Sequence, residues 1–163
     1  PSLNLTSAPV VILGAGGAAR GAAAALILAG VPRVHMVNRT FDKAQSIASA
    51  LGPKVQAFDP TQAEAAFDGV GAVINATSLG LGGGEGPAVP WQTVSGTAVF
   101  MDMVYKPLET DFLAKAKARG HQTVDGLDML IGQARPSFEA FFGAPPPASV
   151  DVRALALAQL TAA

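Results

Sequence analysis

A chain of 163 residues has the size of one ordinary domain, with room for one sheet and its covering helices. Half of it is hydrophobic and only 14% is charged, and the formal net charge of -1 comes without a long basic run. These values exclude the electrostatic footprint of a nucleic-acid or anionic-membrane binder. The charged share lies well below the roughly 25% of typical domains, so some apolar surface is expected to meet a partner.

The chain has no cysteine, which excludes a disulfide framework and thiolate metal sites. His35 and His121 stand alone, without carboxylates at ligand spacing, so no metal is expected. Gly30, Pro32 and Arg33 break the longest apolar segment before it reaches the roughly 20 residues of a membrane span. No charged segment precedes a cleavage-type site at the start. The expectation is a soluble, cytoplasmic protein without a membrane or nucleic-acid partner.

Taken in chain order, Pro9 to Leu13 is a continuous β-branched run suited to a strand buried on both faces. Gly17 to Ala29 has helical length and good helix formers, stopped by Gly30 and Pro32. Arg33 to Asn38 reads as a second strand. Thr40 then stands as the N-cap of a helix whose face is marked by Ala44, Ile47, Ala48 and Leu51. Further strands are expected near Val55 to Phe58, Ala72 to Asn75, Thr97 to Met103 and His121 to Val124. Helices are expected near Thr61 to Phe67, Glu109 to Arg119 and Leu127 to Phe142. Strands alternating with helices imply βαβ units and an α/β fold with a parallel sheet. That body spans residues 1–143, and residues 144–163 form a proline-rich connection, Pro145-Pro146-Pro147, and a last helix near Ser149 to Leu160 that docks elsewhere or on the body.

The first strand and helix are joined by Gly14-Ala15-Gly16-Gly17-Ala18-Ala19, a G-x-G-x-x-A pattern in the context that a dinucleotide-binding fingerprint requires. Gly14 allows the tight turn, Gly16 lets the backbone approach a pyrophosphate, and small Ala19 lets helix and strand pack. The N–H groups that open the helix then face the anion.

The end of the second strand separates the two nicotinamide cofactors. The NAD version places an acidic residue there for the ribose 2'-hydroxyl, whereas a 2'-phosphate needs cations. This chain has Asn38-Arg39-Thr40 with Lys43 one turn on, so Arg39 as a flat donor, Lys43 as a point charge and the Thr40 hydroxyl form a clamp for NADP. The alternative leaves Arg39 and Lys43 as solvated surface charges. The fourth and fifth strands end in Asn75-Ala76-Thr77-Ser78-Leu79-Gly80 and Asp102-Met103-Val104-Tyr105, which should border the nicotinamide. The loop Gly80 to Pro90 is either a lid or a disordered connection.

The motifs GAGGAARG, NRTFDKA, INATSLG, DMVYKPLET and DGLDMLIGQ, in this order and at these separations, resemble the carboxyl-terminal NADP-binding domain of shikimate dehydrogenase. The resemblance runs from Val10 to about Gly143. It implies a doubly wound, Rossmann-type parallel sheet with helices on both faces, and reversible reduction of 3-dehydroshikimate to shikimate with NADPH. By the same match Gly14, Ala15, Gly16, Gly17 and Ala18 would hold the pyrophosphate, and Asn38, Arg39, Thr40 and Lys43 the adenosine phosphate. Thr77, Ser78, Met103, Gly126 and Met129 would lie near the nicotinamide and its ribose. Tyr105 and Gln133 would reach the substrate, although a tyrosine at a strand end often caps a core and a helix glutamine is usually solvated.

In the family a separate amino-terminal domain supplies most of the substrate pocket and a Lys and Asp pair that handles the proton. Only nine residues precede Val10 here, so the resemblance implies no catalytic residue in this chain and a cofactor-binding half that turns over little by itself. Tyr105 and Lys106 are adjacent rather than four apart on a helix, so they cannot form a short-chain-reductase dyad. A free-standing NADP-binding sensor or subunit, a quinate dehydrogenase and a glutamyl-tRNA reductase are the competing readings.

Overall fold

The computed structural model describes residues 7–162. Six strands form one sheet: β1 (Val10–Leu13), β2 (Val34–Val37), β3 (Val55–Phe58), β4 (Ala72–Asn75), β5 (Val99–Asp102) and β6 (Gln122–Val124). Every pairing is parallel, and the spatial order is β3-β2-β1-β4-β5-β6. The chain therefore winds outward from β1 to one edge, returns, and winds to the other. The reversal falls between β1 and β4, and in sheets of this kind ligands bind at the carboxyl end beside such a switch point.

The helices are α1 (Gly17–Leu28), α2 (Phe41–Leu51), α3 (Ala63–Phe67), α4 (Asp111–Lys117), α5 (Gly126–Phe142) and α6 (Val152–Ala162). Parallel strands need crossovers, and crossovers cover both faces, so the strands carry unbroken apolar runs. Alternate residues of β1 show the division. Val10 and Ile12 pack with Ala19, Ala23, Ala44 and Ile47 under α1 and α2. Val11 and Leu13 face the other way, with Phe67, Phe100, Phe112 and Leu113 under α3 and α4.

Several boundaries differ from the expectations. The run near Thr61 splits into a 3-10 turn, Pro60–Gln62, and the short α3, because Asp59 accepts the Thr61 N–H at 2.7 Å and caps a tighter turn that begins on proline. Thr40 holds the N-cap position of α2, but its hydroxyl makes no capping bond. The loop after β4 is fastened at two points: Gly82 N–H donates to the Lys106 carbonyl at 3.0 Å and Gly86 N–H to Asp111 Oδ2 at 2.8 Å. It lies as a strap against α4 and is not a loose connection. The last helix, α6, returns to α5 through Arg153, which meets Asp125 Oδ2 and Asp128 Oδ1, each at 2.6 Å.

Both histidines are buried and bonded to backbone. His35 Nδ1 donates to the Ala66 carbonyl at 2.7 Å and His121 Nδ1 to the Ala98 carbonyl at 3.1 Å. Among the described residues no group of three or more metal-ligating side chains comes together. No described helix is long and apolar enough to cross a membrane.

Candidate coenzyme site

The glycine turn opens from the end of β1, in the middle of the sheet. Gly14 has φ +109°, and a Cβ on it would lie 2.9 Å from the Ala76 carbonyl oxygen, so a side chain is barred both by conformation and by the loop after β4. Ala19 is fully buried on the facing side of α1, as close packing of helix on strand requires. Gly16 and Gly17 are different: nothing lies within 4 Å of where their Cβ atoms would be. They are exposed, with open space above the backbone.

The amino terminus of α1 stands apart from the others. Its N-cap, Gly16, has no side chain to cap it, and its first turn holds no acidic residue. By contrast Asp42 lies in the first turn of α2 and Glu64 in that of α3. Helix α4 is capped by Thr110 and α5 by Asp125, each with a further aspartate in the first turn. The Ala154 N–H at the start of α6 donates to Asp151 Oδ1 at 2.9 Å. Among the described helices, α1 alone presents its unpaired amide hydrogens and positive dipole end without a carboxylate of the chain's own to answer them.

Between α1 and α2 lies an open groove of about 430 Å³. From α1 it is lined by Ala15, Gly16, Gly17 and Arg20, and from α2 by Asp42, Lys43, Ser46 and Ile47. Lys43 thus lines the same groove as Ala15, Gly16 and Gly17 of the glycine turn. Arg39 and Thr40 do not line this groove but are exposed on the loop leading into α2, and the half-buried Asn38 turns its amide to the Thr40 carbonyl at 2.8 Å. Among the described residues neither Arg39 nor Lys43 makes an ion pair. Arg20, Ser46 and Asp42 were not anticipated. The signal was spacing: Arg20 follows Gly17 by three positions and Ser46 follows Lys43 by three, which puts each pair on one helix face.

On the other side of the switch point, the loops after β4 and β5 carry the remaining residues. Thr77 approaches Gly14: its Cγ2 would lie 3.1 Å from a Cβ there. Ser78 is exposed beside it. Gly126, the first residue of α5, is buried against the end of β5, where a Cβ would meet the Val104 and Met103 carbonyl oxygens at 2.6 and 2.8 Å. Gly126, Met129 and Gln133 follow at intervals of three and four and so share one face of α5, which runs away from Met103. Met129 is half-buried, while Gln133 and Tyr105 are exposed.

The carboxylates near these loops are held by hydrogen bonds. Burial pushes the Asp102 carboxyl above the ordinary carboxylate value, against the opposing bonds from Thr110, Val104 and Asn75. Burial acts in the same sense on Asp125, but the Arg153 guanidinium and the Asp128 and Leu127 amides outweigh it and leave that carboxyl lower than usual.

A parallel sheet of this order, a glycine turn at its switch point and one uncapped helix opening onto a groove define a dinucleotide-binding domain of the Rossmann class. The family model "Shikimate / quinate 5-dehydrogenase" matches residues 2–80, and "Shikimate 5'-dehydrogenase C-terminal domain" matches residues 126–156. The chain is 56% identical over 157 residues to a shikimate dehydrogenase (NADP(+)) of Caulobacter vibrioides, covering 96% of this chain and 55% of that relative. Among solved structures it is similar to a quinate dehydrogenase from Corynebacterium glutamicum in complex with NAD, with TM-score 0.80 and 31% identity over 88% of this chain and 53% of that one. A shikimate 5-dehydrogenase from Thermus thermophilus in complex with NADP(H) and shikimate gives 0.73 and 34% over 86% of this chain and 51% of that one. In each case the likeness is to shikimate or quinate dehydrogenases. The chain spans about half the length of the relatives it matches.

Proposed function

We propose that this chain binds NADP(H) and forms the coenzyme-binding part of an oxidoreductase that interconverts 3-dehydroshikimate and shikimate. The observation that carries this reading is the uncapped amino terminus of α1, which opens onto a groove lined by Arg20 and Lys43. The open space above Gly16 and Gly17 fits a pyrophosphate pressed against the backbone. Arg39, Lys43 and the Thr40 hydroxyl then hold the 2'-phosphate, with Asn38 bracing the loop from behind. Thr77, Ser78, Met103, Gly126 and Met129 border the nicotinamide end. Tyr105 and Gln133, both exposed beyond it, meet the substrate.

A nicotinamide coenzyme held there would supply the hydride. The chain's own part is to hold that ring at the carboxyl edge of the sheet and to exclude water from one side of it. Carbonyl reduction also needs a positioned acid, worth about 100- to 10,000-fold. Asp102 is buried and bonded on both oxygens, so it cannot serve. The likeness to an NAD-bound quinate dehydrogenase and the presence of Asp42 in the groove favour a second reading, with NAD as the coenzyme.

The experiment is a titration of the chain with NADPH and NADH, followed by a shikimate oxidation assay. NADPH should bind at least about tenfold more tightly, since a charge-assisted bond contributes about 1.5–3 kcal/mol, and turnover should stay near background. Equal affinities would favour the NAD reading, and turnover at ordinary enzyme rates would show an acid within the chain.

A further inference from the structure

Three polar side chains near the carboxyl ends of β4 and β5 are fully buried: Asn75 and Asp102, which end those strands, and Thr110, the N-cap of α4. Asn75 stands opposite Leu13 of β1 on one side and Asp102 of β5 on the other. Its amide nitrogen donates to Asp102 Oδ1 at 2.9 Å and to the Leu79 carbonyl at 3.1 Å. Its amide oxygen accepts the Thr77 N–H at 3.0 Å and the Thr77 hydroxyl at 2.7 Å. Asp102 Oδ1 also accepts the Val104 N–H at 2.9 Å, and Oδ2 accepts the Thr110 hydroxyl at 2.6 Å. Thr110 closes the set by accepting the Leu113 N–H that opens α4.

Each donor meets an acceptor, which fixes the orientation of the Asn75 amide: reversed, its oxygen would face a carboxylate and a carbonyl. A buried carboxylate with no cation beside it opposes folding, and apolar residues would pair these strands as well. The bonds, however, are not spent on the strands, whose backbones already pair. They run to the two loops that leave the strands, 75–79 and 102–104, and to the start of α4.

We propose that Asn75 and Asp102 are a positioning pair, whose buried contact locks the Thr77–Ser78 loop to the Met103–Tyr105 loop and thereby sets the nicotinamide half of the coenzyme site independently of the adenosine half. The inference rests on the reading of the chain as an NADP(H) binder. Both residues are fully buried and act through the loops they hold. The adenosine half is held across the switch point by the glycine turn and α2, whose side chains share no hydrogen bond with the trio; Gly14 meets the Thr77 loop through packing alone, against Ala76 and the Thr77 methyl group.

Affinity for two ligands tests this: NADPH, which spans both halves, and adenosine 2',5'-bisphosphate, which occupies only one. In Asn75→Asp an oxygen replaces the bridging amide nitrogen and faces two acceptors. NADPH should bind about tenfold more weakly, the equivalent of one such bond, while the bisphosphate binds as before. Should that variant fail to fold, Thr110→Val, which removes the bond to Asp102 and the cap on the Leu113 N–H at nearly constant shape, should give the same split, and Thr110→Ser, which keeps the hydroxyl, should restore it. Equal weakening of both ligands would mark the trio as general scaffolding and overturn the proposal, as would unchanged NADPH affinity in Thr110→Val. An unaltered chain that bound neither ligand would remove the coenzyme reading itself, and the proposal with it.

Discussion

The carbonyl oxygen of Ala76 occupies the space that a side chain on Gly14 would need: a methyl group there would sit 2.9 Å away, on a residue with φ +109°. Gly14 thus ties the loop after β1 to the loop after β4. Gly14→Ala should cost about 3 kcal/mol or more, from backbone strain and overpacking together. Gly16→Ala meets nothing within 4 Å and should leave the melting temperature nearly unchanged. It should nonetheless lower NADPH affinity more than about tenfold, because a methyl group would hold the phosphate off the backbone. Melting curves and titrations of the two variants separate fold from function, and normal binding by Gly16→Ala would defeat the close approach.

Arg39 is exposed and free of ion pairs among the described residues, so removing it disturbs no fold contact. Arg39→Ala should weaken NADPH about 10- to 100-fold, the range for one hydrogen bond to a charged group, and leave NADH unaffected. Competition binding with the two coenzymes reads this directly. A parallel loss for both would move Arg39 away from the 2'-phosphate.

Asp42 lines the same groove as Lys43 and Arg20. A carboxylate there opposes a dianionic phosphate, although it also favours the amino terminus of its own helix by a few tenths of a kcal/mol. Asp42→Asn should therefore raise NADPH affinity by about threefold, in keeping with an exposed charge pair of under 1 kcal/mol, with NADH unchanged. Weaker NADPH binding would instead give Asp42 a role in aligning the two cations.

Acid should loosen the attachment of α6. The Asp125 carboxyl is lower than usual in the folded chain, so on acidification the unfolded chain takes up the proton first. Its stabilisation is therefore whole above about pH 4 and is lost as pH falls through the folded value. Arg153→Met removes the guanidinium fork. It should cost about 1 kcal/mol at neutral pH and flatten the acid limb of stability plotted against pH. Chemical unfolding at pH 7 and pH 3 measures both, and identical acid limbs would refute the linkage.

Much of this was legible in the chain. The glycine turn, the apolar strands and their alternation with helices marked all six strands to within a few residues, because a sheet covered on both faces writes unbroken β-branched runs. Lys43 was singled out from its place one turn after the end of the second strand, and it does line the groove. Arg20, Asp42 and Ser46 were not, since the groove forms only when α1 and α2 lie side by side. The Asn75–Asp102–Thr110 set was hidden for a related reason: which way a side chain turns at a strand's end depends on loops that the residue letters do not specify. The strap from Gly80 to Pro90 looked loose because glycine marks flexibility in a sequence, yet Gly86 is small so that it can rest on Phe112, 2.9 Å from where its Cβ would be.

The glycine turn grows out of β1, an interior strand with neighbours on both sides and all four of its residues buried. Margins of a protein open more readily than its middle. Fraying of β3 at one border or β6 at the other therefore leaves the phosphate cradle standing, and release of coenzyme on warming would report the collapse of the whole domain instead of an early, local melting.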